Sequence, residues 1–233
     1  MKINVDFRLL DVSLELYALK DHYELINNQL LHLKEAEEAT LLEYLKRENL
    51  TPEDPEWDFA RQECEHKVEF LLPRVFWGPY IVALYAAFET GVTEIASLLQ
   101  KSQGQEIGIN DLRGDFLERA SKYYKNILRF ELCSDNEAWQ CIKMLAELRH
   151  AIAHVNGRLD MLNEKSRRKI TAWGKQEIGI TFFYNYLLFD SVITKNLLSQ
   201  VQLTLESLIE RYKELDTKTN SAEHLFNQEE APA

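Results

Sequence analysis

The amino-acid sequence predicts an all-α helical bundle with one small β appendage. Three observations carry that expectation. Apolar residues recur at alternating spacings of three and four over long stretches free of helix breakers, which is the period of a helix face. Glycine and proline are sparse, 8 and 5 in 233 residues, too few for the turn about every 8–12 residues that an all-β sandwich needs. A hydrophobic fraction of 45% in a chain of this length can bury a sizeable core.

The first helix is read from Leu9, Val12, Leu16, Leu19, Tyr23, Ile26, Leu30 and Leu33, an unbroken a/d seam that loosens at Glu37 and ends near Asn49-Leu50-Thr51-Pro52. A second helix is expected from about Pro55 to Leu71, because Thr followed by Pro is a helix-start signal. Pro73 and Pro79 bracket what reads as a short irregular joint around Trp77 and Gly78. A strong helix follows, with Ile81, Leu84, Tyr85, Phe88, Val92, Ile95 and Leu99 on one face. After a loop over residues 104–110, Asp111 is the expected cap of a helix through Phe116, Leu117, Tyr123, Tyr124 and Ile127. Ser134-Asp135-Asn136-Glu137 forms a capping box, and the helix it opens carries Ile142, Leu145, Leu148, Ile152 and Val155 until Asn156-Gly157 stops it. Residues 159–173 read as a polar, basic loop. Residues 176–189, rich in β-branched and aromatic side chains, read as a short hairpin. Asp190 or Ser191 caps the last helix, with Leu197, Val201, Leu205, Leu208, Tyr212 and Leu215 on its stripe. Three segments follow from this pass: an N-terminal helical extension over 1–72, a helical domain over 73–215, and a polar tail over 216–233 expected to be disordered.

Composition narrows the function classes. The net charge is −11, so a global basic footprint for nucleic acid is absent, although a local one is open. Cys64, Cys133 and Cys141 are scattered and odd in number, which excludes a disulfide framework or CxxC metal knuckle and points to the cytoplasm. The longest apolar run, Tyr80 to Phe88, falls well short of the ~20 residues of a membrane span, so no membrane association is expected. The chain has no glycine-rich phosphate loop, no GxSxG elbow, and no zinc deaminase or metalloprotease signature.

The informative stretch is Leu145-Ala-Glu-Leu-Arg-His-Ala-Ile-Ala-His-Val-Asn-Gly-Arg158, at the end of a helix. Two chemistries are open for its histidines. His150 and His154 are four apart, share a helical face and could bind a metal together. No Glu follows His150 in the HExxH manner, and His22, His32, His66 and His224 show no ligand spacing, so no metal or other cofactor is assigned. Alternatively, Arg149 pairs with His154. Twelve arginines and six histidines give about 0.3 such spacings by chance, so the weight lies in the context, the last turns of an amphipathic helix with a polar residue after the Arg and Asn-Gly after the His.

In that context the stretch Arg149-His150-Ala151-Ile152-Ala153-His154 resembles the HEPN superfamily, whose motif is Arg, a polar residue (often Asn), about three further residues, then His. The resemblance covers residues 79–215; the first 70 residues lie outside it. His150 replaces the commoner Asn, and Asn156 stands where one branch of the family carries a Tyr. What the resemblance implies is an α-helical domain of HEPN type that forms a homodimer with two motifs facing across a cleft. Many members are metal-independent endoribonucleases of toxin–antitoxin, phage-defence or RNA-processing systems. Others have lost catalysis and bind RNA, nucleotides or partner proteins. The implied catalytic residues are Arg149 and His154, with His150 second in line; the implied partners are RNA, a second copy and an antitoxin protein.

The residue chemistry is compatible with RNA cleavage. The reaction needs a base for the 2′-hydroxyl, an acid for the departing 5′-oxygen and positive charge on the phosphate. Histidine moves a proton near pH 7, and arginine presents a planar, permanently charged fork to phosphate oxygens. Arg149 and His154 lie about 140° apart round an ideal helix, so a loosened helix end, a curled Arg or a dimer mate would have to unite them. From Lys143 to Lys175 eight basic residues meet three acids, a local charge of +5 against −16 for the rest; Arg158, Lys165, Arg167, Arg168 and Lys169 are the candidate RNA-binding residues there. Asn156 and Glu89 are supporting candidates, Glu89 as an orienter of Arg149.

Structural alternatives stand beside each of these. Arg149 could pair with Glu147 or Asp160, His154 could be a helix-end histidine favoured by the dipole, and Glu89 could face water. Tyr123, Tyr124, Trp139 and Trp173 could stack bases or fill the core. The Leu9–Leu33 seam could pack within the bundle, on the last helix, or serve as a dimer or antitoxin surface.

Overall fold

The computed structural model describes residues 7–229, with side chains described for Phe7 and from Leu9 to Leu215. Helices make up 78% of the chain, and the fold is all-α as the periodicity predicts. Seven α-helices are described: α1 (Phe7–Arg47), α2 (Pro55–His66), α3 (Leu72–Ser102), α4 (Phe116–Lys122), α5 (Asn136–Val155), α6 (Glu164–Gly174) and α7 (Ser191–Glu229). Two antiparallel strands, β1 (Ile180–Phe183) and β2 (Tyr186–Phe189), form the hairpin before α7, with Phe183 opposite Tyr186 across a two-residue turn.

The chain divides into two compact units. One comprises Met1–Tyr17, Ala86–Lys143 and Ser199–Ala233; the other comprises Ala18–Tyr85 and Met144–Leu198. Helices α1, α3 and α7 contribute to both, and so does α5. The boundary expected at residues 72–73 falls inside a continuous helical run, Pro55–Ser102. That run contains an 18-residue window of mean hydropathy 1.3, long and apolar enough by composition to cross a membrane, and 56% of the window is buried. No single apolar run reveals it, because its polar residues are spread along the helix.

The joint expected between Pro73 and Pro79 does not exist. A π-helical turn, Lys67–Leu71, leads directly into α3, and Pro79 lies inside the helix. Pro73 follows directly on that π-turn, inside the continuous run and buried, so it is not at a free helix start. Pro79 removes the partner of the Val75 carbonyl, but both residues face water, Val75 being 63% exposed, so solvent can take the N–H's place. Other differences are local. Asp115, not Asp111, caps α4, accepting the Glu118 N–H at 2.9 Å. Asp135, not Ser134, caps α5 through the Ala138 N–H at 2.8 Å. Residues 164–174, read as loop, are helical, because Asn163 accepts the Ser166 N–H at 2.9 Å and Ile170 buries the inner face. Asp190 caps α7 as expected, accepting from Val192 and Ile193. The tail expected to be disordered from Asp216 continues α7 as helix to Glu229, with no Gly or Pro in the intervening sequence to stop it; residues 230–233 lie outside the described residues.

In the first unit, the α1 seam meets α3 and α7 at a close approach. A Cβ on Gly91 would lie 3.0 Å from both Leu205 methyl carbons and 3.2 Å from Val12 Cγ1. The Tyr124 hydroxyl donates to the Val92 carbonyl at 2.8 Å in the same core. In the second unit, Tyr23, Trp77 and Tyr80 pack as an aromatic cluster with ring centroids 5.5–6.2 Å apart. Tyr80 donates to the Leu19 carbonyl at 3.0 Å and Tyr23 to the Ser191 carbonyl at 3.1 Å. Burial pushes the Tyr80 phenol far above its ordinary range, so it stays a neutral donor. The seam residues Leu9 to Leu30 are buried in these cores, while Leu33 is half-buried.

The Gly91 approach is testable. Gly91→Leu is expected to destabilise the fold by about 1–3 kcal/mol through overpacking, with a lower Tm in thermal unfolding; an unchanged Tm would show that the helices are not in contact there.

Candidate functional site

All the candidate site residues except Glu89 lie in the second unit, and they are carried by the end of α5 and the segment after it. Alternating burial along α5 sets their directions. Leu145, Leu148 and Ala151 are buried, whereas His150, Ala153 and His154 are exposed. The two imidazoles are stacked obliquely, with ring centroids 4.6 Å apart and planes at 49°. Among the described residues, no group of three His, Cys, Asp or Glu side chains is placed to share a metal ion.

Arg149 points elsewhere. It is half-buried, with its guanidinium carbon 5.6 Å from the centre of the Tyr85 ring on α3, a distance at which a cation is held by the ring's negative face. The ion pairs weighed for it are taken by other residues. Glu147 accepts from Lys169 at 2.8 Å and Asp160 accepts from Arg158 at 2.7 Å. Burial pushes the Glu147 carboxyl up, but hydrogen bonds from Lys169 and Ser166 and the charges of Lys169 and His150 outweigh it, so the carboxyl sits below its ordinary value. The hydrogen bond from Arg158 likewise holds Asp160 down.

The basic segment is therefore partly neutralised. Arg158 is paired with Asp160, Arg168 with Glu164 and Lys169 with Glu147. Lys165 and Arg167 are exposed on α6 with no ion pair among the described residues. Of the supporting candidates, Asn156 takes a left-handed conformation, φ 52°, and closes α5, its carbonyl accepting from Arg74 at 3.2 Å. Glu89 belongs to the other unit and is half-buried, with its backbone carbonyl accepting from the Thr93 hydroxyl. Tyr123 and Tyr124 are fully buried and are core residues, not stacking platforms; Trp139 and Trp173 are half-buried.

Sequence reasoning missed what holds the end of α5. The Gly157 N–H reaches back to the Ala151 carbonyl at 2.9 Å, and the Gly157 carbonyl accepts from Leu187 on β2 at 2.9 Å. Leu159 donates to Asn185 at 2.8 Å, and Arg158 bridges to Tyr186. Arg74 lies over the rings of Phe70 and Tyr186, at 5.5 and 4.6 Å, while it bonds Asn156. The hairpin thus pins the segment that follows His154. Tyr85 and Arg74 carried no signal of their own, Tyr85 being one of a buried stripe and Arg74 lying in the presumed joint.

Comparison with known proteins yields no match, whether to family models, curated proteins or solved structures.

The Glu147 contact predicts an acid-sensitive stabilisation. Its depressed carboxyl contributes stability above the unfolded value of ~4.3, and that contribution is lost as pH falls through the folded value. The urea midpoint of Glu147→Gln is expected below that of wild type at neutral pH, with the gap closing under acid. A gap constant at all pH values would contradict the charge interaction.

Proposed function

We propose that this protein is a metal-independent endoribonuclease of HEPN type that works as a homodimer, within a toxin–antitoxin or phage-defence setting. The observation that carries this reading is the Arg149–His154 motif at the water-facing end of α5, with the His150 and His154 imidazoles both exposed. In the proposed reaction His154 accepts the proton of a ribose 2′-hydroxyl, the freed 2′-oxygen attacks phosphorus, and the bond to the 5′-oxygen breaks. A second imidazole, His150 or the dimer mate's histidine, protonates the leaving oxygen. Arg149, held by Tyr85, supplies charge to the phosphate. The wide angle between Arg149 and His154 on one helix favours a site completed by a second copy, and small Ala146 and exposed Ala153 on this helix allow close approach.

A second reading is a catalytically silent module that binds RNA, a nucleotide or a partner protein such as an antitoxin. What favours it is the ion pairing of Arg158, Arg168 and Lys169, which reduces the charge available to a phosphate backbone. Expression in a bacterial host separates the two. Toxicity with RNA cleavage that is lost in His154→Ala supports the nuclease; equal tolerance of both proteins supports the module.

On purified protein, His154→Ala is expected to lower the cleavage rate by about 10²–10⁴, the usual worth of a positioned acid or base. Arg149→Lys should also impair cleavage, because an ammonium cannot reproduce the guanidinium fork. Light scattering at micromolar concentration should give a dimer mass; a strictly monomeric, active protein would contradict the composite site.

A further inference from the structure

The hairpin tip carries a residue that the turn itself does not want. Two-residue hairpin turns favour Gly, Asn or Asp where φ is positive. Here the first turn residue is Tyr184, with φ 51° and its side chain 88% exposed. A bulky aromatic in the left-handed region is unfavourable in the backbone, and its exposure leaves a large apolar ring in water. Neither cost is offset by burial. Among the described residues Tyr184 has one ring neighbour, Phe183, at 4.9 Å and 84°, which braces it edge to face.

The tip is also not free to wander. Its neighbour Asn185 accepts the Leu159 N–H, Tyr186 bridges to Arg158, and Leu187 donates to Gly157. Three consecutive residues of the hairpin are thus tied to three consecutive residues just beyond His154. Arg158 is exposed beside this junction, and its ion pair with Asp160 is water-facing. The pair is two-pronged, Nε to Oδ1 at 3.3 Å and a terminal nitrogen to Oδ2 at 2.7 Å, but both side chains face water, so a phosphate oxygen can compete with Asp160 for the guanidinium.

We propose that Tyr184 and Arg158 form a nucleotide subsite, with the phenol ring stacking on an unpaired RNA base and the guanidinium holding a neighbouring phosphate at a fixed offset from His154. This rests on the ribonuclease reading of α5 and adds to it a preference for single-stranded RNA. Stacking on an aromatic ring accepts any base, and Arg158 adds the backbone charge. A duplex offers no free base face to Tyr184.

The test uses the full chain carrying His154→Ala, so that RNA is not consumed, and fluorescence anisotropy with a short labelled single-stranded RNA. Tyr184→Asn is the informative variant, because Asn tolerates the left-handed conformation and keeps the turn. It is expected to weaken binding about 5- to 100-fold with Tm unchanged or higher. Tyr184→Trp should retain binding, and an abasic ribose-phosphate chain should bind both proteins alike. Equal RNA affinity in Tyr184→Asn, or a loss accompanied by a fall in Tm, would overturn the subsite while leaving the nuclease reading intact. Failure of the His154→Ala protein to bind any RNA would remove both.

Discussion

The end of α5 is the constraint on which the candidate site depends. A helix C-terminus leaves carbonyls without partners, and here they are closed by a left-handed exit through Asn156 and Gly157. Gly157 is required twice. Its φ of +74° suits a residue without a Cβ, and a Cβ there would lie 3.2 Å from Ile152 Cδ1. With the exit set, the Gly157 carbonyl meets β2, and Arg74 caps Asn156 from α3. The two histidines are therefore presented on a turn whose far side is pinned by backbone bonds to the hairpin and by the Arg74 side chain.

Charge is arranged on the same segment in two tiers. Arg158, Arg168 and Lys169 are engaged in ion pairs, two of them with partners within four residues. Arg149 instead rests on an aromatic face, which holds its position without neutralising it. Lys165 and Arg167 project from α6. These three pairs take up all three acids of the segment, so its local charge of +5 is carried by the other five cations, Lys143, Arg149, Lys165, Arg167 and Lys175.

The helices were legible in the sequence wherever their determinants were local and periodic. The α1 seam, the α5 stripe and the Asp190 cap all act within a few residues. Pro79 misleads because a lost hydrogen bond is costly only when water cannot replace it, and that depends on exposure, which spacing does not reveal; Pro73 directly follows a π-turn, which apolar spacing does not reveal either. The sequence of α6 reads as loop because one buried Ile170 is too thin a stripe to register as a period. For the site, the Arg149–His154 spacing and the stop at Asn156-Gly157 were visible. The Tyr85 contact, the Arg74 cap and the hairpin tie were not, since each joins segments distant in the chain.

The end chemistry of cleaved RNA tests the central claim most directly. Synthetic RNA incubated with the protein in EDTA should yield 2′,3′-cyclic phosphate and 5′-hydroxyl ends, and a single 2′-deoxy sugar at the cleaved position should block the cut. Cleavage abolished by EDTA and restored by Zn²⁺, or products with 5′-phosphate ends, would contradict internal attack by the 2′-oxygen and return the His150–His154 pair to consideration as metal ligands.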